Sequence, residues 1–174
     1  FGMHLDRLKV PGVDVSTGSL GHGFPVALGC ALGARLMGKK YRVYCVIGDG
    51  ECNEGSIWEA AMCAAHYKVT NLITILDRNG LSLDGPTEEV MGLEPIDKKF
   101  EAFGFEVLVI DGHDFRQICE AIEKAQAATE RPVLIVARTV KGKGVDFMEN
   151  KTGWHYGGLD DQMMAKALTS IRKS

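Results

Sequence analysis

The stretch "YRVYCVIGDG" (residues 41–50) decides the fold. Its apolar, β-branched run has no strict alternation, which is the pattern of a strand covered on both faces. It ends on Gly48-Asp49-Gly50, a carboxylate with only backbone on either side. Thirty residues further on, "NLITILDRNG" (71–80) repeats the layout and ends on Asn79-Gly80. The alanine-rich "EGSIWEAAMCAAHYK" (54–68) between them reads as a helix. A strand, a helix and a second strand of this kind form a parallel pair, so Asp49 and Asn79 leave the sheet at the same edge.

The pattern continues in both directions. "IDKKFEAFG" (96–104) reads as a short helix, "FEVLVID" (105–111) as a strand and "PVLIVART" (132–139) as another. "DFRQICEAIEKAQAAT" (114–129) carries Phe115, Ile118, Cys119, Ile122 and Ala125 at helical spacing, which predicts an amphipathic helix with that stripe inward. Upstream, residues 1–18 read as irregular, with Pro11-Gly12 as a turn and "VDVST" as a short extended piece. Ser19 is the expected N-cap of "LGHGFPVALGCALGARLMG". In that helix Ala27, Ala31, Ala34, Gly29 and Gly33 leave little bulk, which predicts close packing on another backbone. "LDDQMMAKALTSIRKS" (159–174) reads as a closing helix. The expected class is α/β: a mostly parallel sheet with helices on both faces, in one domain over residues 1–174.

Composition narrows the function. The chain has 174 residues, 45% hydrophobic and 25% charged, enough for one domain with a core. A formal net charge of −3 provides no basic field for nucleic acid. No apolar run nears the roughly 20 residues a membrane span needs. Cys30, Cys45, Cys52, Cys63 and Cys119 lie far apart with no C-x-x-C pair, so they read as buried, reduced thiols of a cytoplasmic protein. The chain opens on Phe1, so an upstream portion is expected to be missing. The 21 glycines concentrate in the predicted loops, as a ligand cradle requires.

Taken alone, "GDG" and "DRNG" are each turns. Together, at neighbouring strand ends, they bring a carboxylate and an amide oxygen to one small volume. Few hard oxygen donors, completed by ligand oxygens, suit Mg²⁺ bridging to a diphosphate. Backbone N–H groups at the helix start after Asp49 meet the remaining phosphate charge. Gly48 and Gly50 let the phosphates approach the backbone.

These motifs, with "PGVDVSTGSLGHG" (11–23), "VIGDGECNEGSIWEAA" (46–61), "LDRNGLSLDG" (76–85) and "TVKGKGVDFMEN…WH" (139–155), resemble the cofactor-diphosphate domain of transketolase along nearly the whole chain. The resemblance implies thiamine diphosphate (ThDP) and Mg²⁺ as cofactors. It implies Asp49 and Asn79 as metal-binding side chains, with Leu81 contributing its main-chain carbonyl. Gly48, Gly50 and Glu51 belong to the diphosphate loop, with the Gly50 N–H on the diphosphate, and Gly18 and Leu20 line the cofactor's ring pocket. His155 resembles the histidine touching the diphosphate near the substrate, and His4 one that reaches the donor sugar. Glu54 resembles the acidic residue between paired cofactor sites, although a helix N-terminal charge fits it equally.

Three departures stand out. Leu5 follows His4 where the family has proline, His22 replaces a glutamine, and Arg78 precedes the motif asparagine with an expected orientation away from the metal. Lys141 and Lys143 read as phosphate neutralisers or as a solvated basic loop. The family's second, pyrimidine-binding domain is not in the chain. The resemblance therefore implies the amino-terminal subunit of a split transketolase, inactive alone, which with its partner moves a two-carbon ketol unit from a ketose phosphate to an aldose. Its partner would be the carboxyl-terminal subunit, with two cofactor domains pairing inside a heterotetramer through the helices at 20–36 and 54–65. A deoxyxylulose-phosphate synthase, a ketoacid dehydrogenase subunit and a non-catalytic cofactor-binding module share the same motifs as alternatives.

Overall fold

The computed structural model describes residues 2 and 4–173. Four strands, β1 (Val43–Gly48), β2 (Leu72–Arg78), β3 (Glu106–Asp111) and β4 (Val133–Arg138), lie in the order β1-β2-β4-β3. Every neighbouring pair is parallel, so all four carboxyl ends share one edge. Five consecutive residues of β4, Val133–Ala137, are buried, as expected for a strand flanked on both sides. Among the described residues the helices are α1 (Gly23–Leu36), α2 (Gly55–His66), α3 (Thr87–Val90), α4 (Ile96–Phe103), α5 (Phe115–Ala127) and α6 (Asp161–Ile171). The predicted elements are all present, shortened by a few residues at their ends. Ser174, the predicted end of the last helix, lies outside the described residues.

Alternate residues of the strands feed two cores. Cys45, Ile47, Leu72, Leu76, Leu134 and Val136 face α1, α2 and α4. Ile73, Val133 and Ile135 face Ala121 and Ala125 of α5. The alanines of α1 and α2 let these helices sit close to the sheet and to each other: Ala27, Ala31, Ala34, Ala60, Ala61 and Ala64 are all buried. Gly29 faces open space instead, since a Cβ added there would meet nothing.

The structure corrects several local expectations. Ser19 does not cap α1. Gly21 adopts φ +74, a left-handed value that no helix can contain, so the helix starts beyond it with His22 at the cap position. Ser19 Oγ instead lies 3.3 Å from His22 Nδ1. On α5, Phe115 is 82% exposed and Cys119 is exposed. The inward stripe is Ala121 and Ala125, with Ile118 and Ile122 half-buried beside them. Of the thiols, Cys45 and Cys52 are buried, whereas Cys30 and Cys119 are exposed; all five are free. The sheet is not fully covered either. Tyr44 and Val46 lie on the α5 side of β1, in register with Ile73 and Ile75, and remain exposed, with Gln126 of α5 reaching across to donate to the Tyr44 hydroxyl at 2.7 Å.

Candidate functional site

Asp49 leaves β1 immediately after Gly48, and its residue is only 1% exposed. A carboxylate so deeply buried must be satisfied by fixed donors. Oδ1 accepts the Gly50 N–H at 2.8 Å, and Oδ2 accepts the Gly80 N–H at 2.6 Å. The second bond ties the loop after β1 to the loop after β2, which is the juxtaposition expected of Asp49 and Asn79. Asn79 Oδ1 accepts the Leu81 N–H at 3.0 Å, and Leu81 bridges to Pro86 across the tip of the same loop. The Gly50 N–H, expected on a diphosphate, is directed at Asp49 in this structure. A Cβ on Gly50 would come within 3.2 Å of Ser82 Cβ, so glycine allows the two loops to approach.

Arg78 does not face away from Asp49. The β1–β2 register places Gly48 beside Asp77, so the next residues of the two strands, Asp49 and Arg78, come together. Arg78 Nη1 donates to Asp49 Oδ2 and to Thr87 Oγ1, both at 2.9 Å. Nε donates to Glu94 at 3.0 Å and Nη2 to Glu88 at 3.2 Å. Burial opposes the charge on Arg78, but the hydrogen bonds to Asp49 and Glu94 outweigh it and push the guanidinium above its ordinary value. Reading the motif by strand alternation missed this hub. The signal that finds it is the pairing of two neighbouring parallel strands with their motifs aligned.

Glu51 lies in the short 3₁₀ turn Gly50–Asn53 after Asp49, and its carboxylate is used internally. Oε1 accepts the Gly21 N–H at 3.0 Å and Oε2 the Gly48 N–H at 3.1 Å, fastening the segment before α1 to the end of β1. The same carboxylate acts, after burial itself, to push the Cys45 and Cys52 thiols up to about 12, so both stay protonated and unreactive at neutral pH. A cavity of about 1160 Å³ opens beside it. His4, Gly18, Leu20, Glu51 and His155 all line this cavity, with an apolar wall of Val26, Tyr41, Tyr44 and Val46 that motif reading did not anticipate. Gly18 is held at φ +154, and a Cβ there would sit 2.5 Å from His4 Cδ2. Lys141 and Lys143 do not line the cavity, and Lys143 Nζ lies 3.8 Å from Glu149. His113 Nε2 accepts the Val140 N–H at 2.8 Å and pins the start of the loop that leads to His155.

The donors fit a divalent cation only in part. Among the described residues no group of three or more His, Cys, Asp or Glu side chains surrounds a common point. Asp49 and Asn79 are oxygen donors on adjacent loops, and a site for Mg²⁺ built on them would need further oxygens from a phosphate ligand. Among the described residues no helix is long and apolar enough to cross a membrane.

Residues 2–171 match the family described as the transketolase, thiamine diphosphate binding domain. An apulose-4-phosphate transketolase subunit of Actinobacillus succinogenes is 46% identical over 153 residues, which covers 88% of this chain and 55% of that protein. The 6-deoxy-6-sulfo-D-fructose transketolase subunit SqwG of a Clostridium species is 41% identical over 170 residues, covering 98% of this chain and 62% of that protein. This chain thus spans little more than half the length of these relatives. Among solved structures, the transketolase of Campylobacter jejuni superposes with a TM-score of 0.86 at 35% identity, over 92% of this chain and 26% of that one. By sequence, by fold and by the loops at its strand ends, the chain belongs to the transketolase family, through its thiamine-diphosphate-binding domain.

Proposed function

We propose that this chain is the diphosphate- and metal-holding half of a transketolase that moves a two-carbon ketol unit from a ketose phosphate to an aldose. The observation that carries the reading is the buried Asp49 carboxylate, hydrogen-bonded across to the loop bearing Asn79, within a domain of this family. Asp49, Asn79 and the Leu81 carbonyl would hold Mg²⁺. When bound, ThDP supplies the nucleophilic carbon that accepts and passes on the two-carbon unit, while the protein binds and orients.

The residues around the cavity divide the remaining work. Gly18 and Leu20 offer a wall without bulk to the cofactor ring, and Glu51 holds that wall against the end of β1. His4 and His155 line the same cavity and would meet the sugar and the phosphate. The exposed Tyr44 and Val46 face and the helices α1 and α2 are surfaces on which further protein would pack. We assign to it a partner carrying the pyrimidine-binding domain, in keeping with the apulose-4-phosphate relative, whose name makes it one subunit of its enzyme.

The test is reconstitution. The purified chain with ThDP and Mg²⁺ should show no turnover of any ketose phosphate, and adding the carboxyl-terminal subunit should restore it. Turnover by the chain alone, or pyruvate as the only productive donor, would refute the assignment. A second expectation concerns Gly18→Ala. A Cβ at φ +154 brings backbone strain of about 1–3 kcal/mol and pushes into His4, so ThDP affinity in the reconstituted complex should fall roughly tenfold. Fluorescence titration with ThDP measures it, and unchanged affinity removes Gly18 from the pocket.

A further inference from the structure

We propose that Arg78 is a resident counter-cation for the metal loops: in the metal-free protein its guanidinium balances the buried Asp49 carboxylate, a task the divalent ion shares once it binds. The inference rests on reading Asp49 as a metal ligand. It makes Arg78 a positioning residue, acting through Asp49.

The geometry supports three steps. A buried carboxylate left without an opposite charge is strongly unfavourable. Among the described residues Arg78 is the cationic side chain paired with Asp49. Next, Oδ2 already accepts two donors, the Gly80 N–H and Arg78, while Oδ1 accepts only the Gly50 N–H. A carboxylate oxygen has two lone pairs, so one acceptor position remains, on Oδ1. A cation can bind there without displacing Arg78. Finally, the guanidinium is shared by three carboxylates, those of Asp49, Glu88 and Glu94, at 2.9, 3.2 and 2.9 Å. One positive charge against three negative ones leaves a surplus of two, the charge of a single divalent ion.

Arg78 itself is well anchored, with its side chain only 11% exposed. Glu88 accepts the Leu93 and Glu94 N–H groups, and Glu94 accepts the Ile96 N–H, so the whole turn before α4 converges on the guanidinium. A planar fork with donors on three nitrogens suits this arrangement, and a lysine ammonium could not reproduce it. The network therefore holds Arg78 against Asp49 whether or not a metal is present.

The experiment uses the full chain purified with its assembly partner, comparing wild type, Arg78→Gln, Asp49→Asn and the double variant. Metal-free Arg78→Gln should unfold at a lower temperature than wild type, and Mg²⁺ with ThDP should close more than half of that gap. The Mg²⁺ concentration for half-saturation at fixed ThDP should fall about tenfold in Arg78→Gln, since a repelling charge beside the ion has gone. Asp49→Asn should destabilise the wild type but restore metal-free Arg78→Gln, because no buried charge is left to balance. Equal losses with and without metal, weaker or unchanged Mg²⁺ affinity, or no restoration by Asp49→Asn would overturn the proposal. If Arg78→Gln fails to fold without metal, the double variant decides: folding supports the counter-cation role and failure overturns it. A wild type indifferent to Mg²⁺ and ThDP sinks the metal reading and the counter-cation role with it. Restoration by Asp49→Asn would then identify an ordinary buried ion pair.

Discussion

Asp49→Asn is expected to weaken Mg²⁺-dependent ThDP binding by about 100-fold or more. Replacing a residue that merely supports a metal ligand commonly costs 10- to 100-fold, and losing the ligand's own charge should exceed that. The substitution keeps the shape of the side chain, and its remaining oxygen still accepts the N–H of Gly50 or of Gly80, while the new amide NH₂, a donor, replaces the other acceptor. The loss should be one of charge and of one loop hydrogen bond, with the far-ultraviolet dichroism of the sheet and helices intact. Calorimetric titration of the reconstituted complex with ThDP at fixed Mg²⁺ measures the effect. An affinity within threefold of wild type would remove Asp49 from the metal site, and the enzymatic reading would lose its main support.

Phe100→Ala should have the largest effect on stability. Phe100 is fully buried on α4, 5.2 Å from the Trp58 ring of α2 and 5.4 Å edge-on from Phe105 at the start of β3. It thus joins two helices and the sheet in the larger core. Truncating a buried phenylalanine to alanine costs about 3–5 kcal/mol, through lost transfer energy and the cavity left behind. In a domain of this size that lowers the unfolding temperature by roughly 6–20 °C. Thermal unfolding followed by dichroism reads it, and Phe100→Leu should lose much less. Because Phe100 lies outside the cavity lining, the folded fraction should keep wild-type ThDP affinity. A loss below about 1 kcal/mol, the size of an average point substitution, would mean the three-ring cluster is not the keystone its burial implies.

Most of the architecture was legible because its signals are local. An apolar strand ending in Gly-Asp-Gly and another ending in Asn-Gly each announce their own carboxyl end. Alternation of strands and helices then forces those ends to one edge. Helix boundaries were less legible where one backbone angle overrode the pattern, as at Gly21, whose left-handed φ delays α1 past the expected Ser19 cap. The face of α5 was misjudged for another reason. Periodicity says which residues share a stripe, but the position of the helix over the sheet leaves Phe115 in solvent.

The site divides along the same line. That Asp49 and Asn79 leave neighbouring strands at one edge could be read from the chain alone, since each follows a strand end in a parallel pair. That Arg78 meets Asp49, and that Glu51 fastens Gly21 to Gly48, was decided only by the register between β1 and β2 and by the packing of the segment ahead of α1. The first and the longer of these contacts join residues about thirty positions apart, and their geometry depends on how parallel strands align, which no single strand specifies.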